Sequence, residues 1–198
     1  MSEKIAWLTE IEIAEALAAE SADSPNPPDG LVRAAVLIPF FHEEEGWKIL
    51  FTRRTEHVET HKGQVAFPGG AADRTDLSPE ETALREAFEE IGILPRSVRV
   101  LGRMVEMPTI SNFLITPVVG VIDWPVPLKL EAAEVSRVFS VPLAWLADAQ
   151  NHDIRPYLRK NGITENVVFF SPYDGETIWG VTGRIMMNLL ELLAKRAA

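Results

Sequence analysis

Cysteine is absent from the 198 residues. Disulfides, thiolate metal centres and a cysteine nucleophile are thereby excluded, and the chain suits a reducing, cytoplasmic setting. Long apolar runs are also missing, and none approaches the length of a membrane span. Positive charge is scarce: 19 Lys and Arg against 29 Asp and Glu leave a formal net charge of -10. Nonspecific attraction to nucleic acid or to an anionic membrane is therefore not expected. A polyanionic small molecule could bind only by recruiting a cation. The leading segment MSEKIAWLTEIEIAEALAAE is acidic throughout its apolar periodicity, which fits neither a secretory signal nor an Arg-rich transit peptide. A soluble enzyme or binding protein for a small molecule is what these absences leave.

The chain has 46% hydrophobic and 24% charged residues, the balance of an ordinary globular protein, and is long enough to bury a real core. Residues 1–30 read as an amphipathic helix, about Leu8 to Ala19, and a proline-rich linker appended to a domain over 31–198. That domain opens with β-rich runs at Val32 to Phe41 and Trp47 to Arg54, separated by the turn-like HEEEG, which predicts a hairpin. A short strand is expected at Gln64 to Phe67. PGGAADRTD then reads as a loop, because Pro68, Gly69 and Gly70 do not readily continue a regular element. The next helix is the best marked in the chain, with Ser78 as N-cap, Pro79 at the first helical position, Glu81 completing a capping box and Gly92 ending it. Further strands are expected at Val98 to Val105, Phe113 to Val121 and Val135 to Val141. After a short helix at Leu143 to Ala147 come a hairpin around Asn161-Gly162 and a helix from about Gly180 to Lys195. Without strict β-α alternation, this order predicts an α/β fold with a mixed sheet between helical layers. The apolar N- and C-terminal helices could pack within one chain or across a homodimer.

Within the marked helix the stretch REAFEEIG poses an electrostatic problem. Glu86, Glu89 and Glu90 crowd one helical flank near the C-terminal end, where the helix dipole disfavours anions. One explanation is a solvated face, with Arg85 neutralising Glu81 and Glu89 at four-residue spacing. The other is a cation site, since carboxylates at helical spacing offer hard oxygen ligands to Mg²⁺ or Mn²⁺. Such an ion would turn mutual repulsion into coordination and would let an acidic protein hold a diphosphate.

GGAADRTDLSPEETALREAFEEIGI resembles the Nudix box, G-x5-E-x7-R-E-U-x-E-E-x-G-U, where U is bulky and apolar. Arg85, Glu86, Glu89, Glu90, Gly92 and Ile93 match its second half, with Ala87 a small substitute at a U position. In the first half Asp76 replaces Glu, with the required five residues between it and Gly70, and eight rather than seven residues separate it from Arg85. The preceding LFTRRTEHVETHKGQVAFPGG is similar to the upstream motif of the coenzyme A diphosphatase branch, with Thr52, Arg54, Gly63, Phe67, Pro68, Gly69 and Gly70 in place. Glu59 stands where that motif carries its second arginine.

The resemblance implies a Nudix-type α/β/α sandwich with an added N-terminal helix, and hydrolysis of a diphosphate bond with Mg²⁺ or Mn²⁺. Coenzyme A or an acyl-coenzyme A would give a 3′-phosphorylated adenosine monophosphate and (acyl-)phosphopantetheine. Glu86, Glu89, Glu90 and the backbone of Gly70 would hold the metal. Arg85 would orient the glutamates, and Glu134 is the candidate general base, with Glu131 or Glu89 as alternatives; Arg85, Glu89 and Glu134 thus form the expected catalytic group. Arg53, Arg54, Lys62, Gly63 and Phe67 are the expected substrate contacts. Thr109, Ser111 and Asn112 are either further loop contacts or ordinary turn residues. Glu59 favours a different diphosphate, such as ADP-ribose or a dinucleotide. A non-catalytic Nudix-fold binder is a third reading, against which stands the intact glutamate set.

Overall fold

The apolar run at Val32 to Phe41 is buried almost without alternation, the mark of a strand covered on both faces. The computed structural model describes residues 2–21, 30–56, 63–158 and 162–197. Helices α1 (Ser2–Ile5) and α2 (Glu10–Ser21) precede strands β1 (Val32–Glu43), β2 (Gly46–Arg54), β3 (Val65–Ala66) and β4 (Gly69–Ala71). Helix α3 (Pro79–Ile91) is followed by β5 (Val98–Arg103), β6 (Met107–Pro108), β7 (Phe113–Ile122), β8 (Val135–Pro142) and α4 (Leu143–Leu146). A ribbon of β9 (His152–Leu158) and β10 (Thr164–Phe170) leads into α5 (Gly180–Ala197). Among the described residues no helix is long and apolar enough to cross a membrane.

The main sheet is mixed: β1 and β7 run parallel, while the other pairs are antiparallel. Strand alternation divides β1 between two helical layers. Ala35, Leu37 and Phe41 face clusters containing Ala83, Ala87 and Ile91 of α3. Ile38 and Phe40 face Ile13 and Leu17 of α2 and Ile185 and Leu189 of α5. The result is the expected α/β/α sandwich with the N-terminal helix packed on it. Thr9 caps α2 reciprocally with Glu12: the Thr9 amide donates to the carboxylate at 2.8 Å, and the Glu12 amide to the threonine hydroxyl at 3.2 Å. The indole N–H of Trp47 donates to Leu8 O at 2.6 Å, tying this segment to β2.

Strands β1 and β2 pair only near their hairpin, over Phe40 to Glu43 and Gly46 to Ile49. Farther along they separate. β4 takes the free edge of β1, with Ala35 opposite Gly70, and β3 takes that of β2, with Thr52 opposite Ala66. The Gly-Gly stretch therefore forms a strand where a loop was expected. The reason is close approach: a Cβ on Gly69 would lie 2.4 Å from Ala35 O and 2.6 Å from Val36 Cα. Glycine is what permits β4 to close on β1. The Asn161 half of the expected ribbon turn lies outside the described residues, whereas Gly162 adopts φ 81°, as such a turn requires.

Candidate active site

Helix α3 begins where its sequence marks it. Ser78 Oγ accepts from the Glu81 amide at 3.2 Å. The Glu81 carboxylate accepts from the Leu77 amide at 2.8 Å, one residue ahead of the expected Ser78 amide. Gly92 ends the helix in the left-handed region at φ 77°. Ala83, Ala87 and Ile91 bury one face against the sheet. That packing turns Glu86 and Glu90 toward the cleft where β4 wedges between the diverging strands. A Cβ on Gly70 would lie 2.6 Å from the Glu86 carboxylate carbon, so the glycine leaves the space that this carboxylate occupies.

Arg85 is the hub of the cluster. Its Nη1 donates to Glu86 Oε1 at 2.9 Å and to Glu89 Oε2 at 3.1 Å. Its Nη2 donates to Ala71 O at 3.0 Å and to Asp76 Oδ2 at 2.9 Å, while Nε reaches Asp76 Oδ1 at 3.1 Å. Asp76 also accepts from the Thr82 hydroxyl and the Asp73 amide, both at 2.9 Å. The forked pairing with Arg85 holds the Asp76 carboxyl down to about 2. Asp76 is the residue at which the sequence departs from its motif, and its partnership needs the folded loop to be seen.

Glu90 is only 4% exposed. Burial pushes its carboxyl up to about 8, against the opposing pull of Arg54, whose Nη1 lies 3.7 Å away. Burial likewise raises Glu86, with Glu89 and Glu134 adding repulsion. Glu134 is exposed on the segment before β8, and its charge is felt at both Glu86 and Glu90. Glu131 turns its carboxylate to the Ala133 amide, 3.2 Å away, while its own amide binds Glu90 O at 2.8 Å. The structure thus gathers Arg85, Glu86, Glu89, Glu90, Gly70 and Glu134 in one region. Among the described residues no three acidic or histidine side chains converge on a common point as a ready-made metal cluster. The guanidinium of Arg85 is the cation that Glu86 and Glu89 share. Crowded hard oxygens, those of Glu90 deeply buried and those of Glu86 packed against the Gly70 backbone, fit a divalent ion of the Mg²⁺ or Mn²⁺ type.

The expected substrate contacts separate. Arg54 faces α3 and the glutamates, whereas its neighbour Arg53 reaches Glu176, 3.7 Å away, and Glu56, 3.4 Å away. Glu176 is nearly buried and also pairs with Arg137 at 3.3 Å, a network with no local signal in the sequence. The Phe67 side chain packs in the core, stacked on Phe51 with ring centroids 4.9 Å apart, rather than on an accessible surface. Gly63 turns at φ 63°, its amide bound to Thr55 O. Lys62 and Glu59 lie outside the described residues. Thr109 Oγ1 accepts from the Phe113 amide at 3.1 Å, as turn chemistry alone would arrange.

A family model described as NUDIX domain matches residues 31–161. Proteins called "Uncharacterized Nudix hydrolase NudL" from Salmonella paratyphi B and Salmonella newport are each 41% identical over 158 residues, covering 79% of this chain and 80% of theirs. Among solved structures, a Nudix hydrolase from M. smegmatis, RenU, matches with a TM-score of 0.49 and 23% identity over 58% of this chain and 80% of its own.

Proposed function

The chain belongs to the NUDIX family, and from that premise we propose that it hydrolyses the diphosphate of a nucleoside diphosphate derivative, with coenzyme A or an acyl-coenzyme A as substrate. The observation that carries the reading is the Arg85 hub. One guanidinium fixes two glutamates of α3, Asp76 and the backbone of β4 in a single arrangement. A protein that merely binds a nucleotide has no use for such an assembly beside a buried Glu90. The coenzyme A assignment rests on the upstream motif, of which Gly69 and Gly70 close β4 onto β1 and Arg54 pairs with Glu90.

Glu86, Glu89, Glu90 and the Gly70 carbonyl would hold Mg²⁺ or Mn²⁺, which when bound neutralises diphosphate charge and acidifies a water. The chain's own residues supply positioning and proton transfer. Arg85 acts as a positioning residue, keeping Glu86 and Glu89 from swinging into solvent. Arg54 offers a cation to a phosphate oxygen at the inner edge of the cleft. Glu134, exposed and close enough for its charge to reach Glu86 and Glu90, accepts the proton of the attacking water.

The test is to incubate the purified protein with Mg²⁺ or Mn²⁺ and a panel of coenzyme A, acyl-coenzyme A, ADP-ribose and dinucleotides, identifying products by mass. Phosphopantetheine from coenzyme A is the expected result. Cleavage confined to other diphosphates keeps the chemistry and moves the specificity, in the direction that Glu59 favours. No turnover with any metal overturns the proposal and leaves a binding protein.

A further inference from the structure

The far ends of β2 and β8 do not match. Their register shifts between Arg53 and Arg54, so that Arg53 opposes Arg137 while Arg54 opposes Val135. Ser136 is the surplus residue, and its hydroxyl turns back onto Arg53 O at 3.1 Å. Beyond this bulge the segment carrying Glu134 is tied across to β2. The Thr55 amide donates to Glu134 O at 2.9 Å, and its hydroxyl to Ala133 O at 2.9 Å. Beside that crossing lies a cavity of about 440 Å³, walled by Leu130, Ala132 and Val135 and bordered by Thr55, Ser136, Arg53 and Glu56. Between Leu130 and Ala132 of this wall, Glu131 binds Glu90 O through its amide, which tethers the cavity's edge to the candidate active site.

We propose that this cavity receives the part of the substrate beyond the diphosphate on its non-nucleotide side, and that the chemistry it selects is a linear aliphatic chain bearing amides. This rests on the diphosphatase reading. Three walls are aliphatic. Both bordering hydroxyls have already donated their hydrogens to backbone carbonyls, so their lone pairs are left to accept from a ligand N–H. None of the described lining residues is aromatic, so a second nucleoside would find no ring on which to stack its base. Arg53 is already engaged by the carboxylates of Glu56 and Glu176, 3.4 and 3.7 Å away, so charge at this border is balanced and an uncharged amide chain suits it better than a second anion.

Ala132 is exposed at the wall, so a larger side chain there fills the cavity without entering the core. With Ala132→Trp, KM for coenzyme A should rise at least about tenfold, with kcat little changed, so the preference for coenzyme A over ADP-ribose falls by a similar factor. In a titration read by calorimetry, affinity for 4′-phosphopantetheine should fall in parallel. Leu130→Ala, which adds no bulk, should weaken the same binding and decides the matter if the tryptophan variant does not fold. A protein that cleaves coenzyme A but shows neither change overturns this inference and keeps the diphosphatase reading. A protein that binds 4′-phosphopantetheine, loses it on substitution and cleaves no coenzyme A does the reverse. Wild-type protein with no affinity for 4′-phosphopantetheine also overturns it.

Discussion

Two adjacent glycines make different demands, and substitution can separate them. A Cβ on Gly69 would meet the backbone of β1, which cannot yield, whereas a Cβ on Gly70 would meet only the Glu86 carboxylate. Gly69→Ala should therefore lower the melting temperature by several degrees, on the order of 1–3 kcal/mol of overpacking. Gly70→Ala should melt near the wild type while losing most turnover, because it displaces a carboxylate and not the fold. Equal melting temperatures for the two variants would refute this division. Asp76 carries a pH dependence of definite sign. Its folded pKa, about 2, lies below the ordinary 3.8, so its stabilisation is fully present above about pH 4 and is lost as pH falls toward 2. The contribution is at most about 2 kcal/mol. Asp76→Asn should be destabilised at pH 7 and less sensitive than wild type to acid over that window, as denaturant melts at a series of pH values would reveal. Parallel pH curves for the two proteins would show that Asp76 is not the responsible group.

At the scale of elements, α3 shows what a sequence can disclose. Ser78, Pro79 and Gly92 act through bonds within a few residues, so the boundaries of the helix are legible before folding. Its crowded glutamates were legible for the same reason. Strand β4 is the opposite case, since Gly69 and Gly70 read locally as breakers and become a strand only through β1, over thirty residues away. The same limit hid the role of Asp76, whose partner depends on loop geometry, and the separation of Arg53 from Arg54. Alternation along β2 sends neighbours to opposite faces, but which face meets α3 is fixed by the sheet. An element with this much electrostatic crowding should also tolerate its relief. Glu89 is the most exposed of the three glutamates, its side chain 56% accessible. Glu89→Gln should leave the melting temperature nearly unchanged while turnover drops by orders of magnitude. A variant that melts much earlier yet keeps its activity would contradict a functional origin for the crowding.

Across the whole molecule, the sheet divides its labour between its faces. The α3 face carries the acidic cluster, and the opposite face carries the largest apolar cluster, closed by α1, α2, α4 and α5. The N-terminal segment is therefore more than an attachment to the region that the family model spans. Ile5, Leu8, Ile13 and Leu17 are all buried in that cluster, beside Leu189 and Trp47. At about 1.5–3 kcal/mol for each side chain, their burial represents roughly 6–12 kcal/mol as an upper bound. That is comparable with the entire stability of a typical domain, about 5–15 kcal/mol. Charge pairs hold the same seam, Glu10 to Arg99 at 2.9 Å and Glu15 to Arg196, although exposed pairs of this kind add little. A fragment comprising residues 31–198 should therefore be insoluble or lack cooperative unfolding, even though it retains every residue of the candidate active site. The full-length variant Ile13→Ala should lose about 2–5 kcal/mol by the same argument while keeping its substrate preference. Denaturant titration of both proteins measures this directly. A fragment that unfolds cooperatively near the full-length midpoint would mean that the lower helical layer closes without its N-terminal third, and that the burial of these four side chains is nearly neutral.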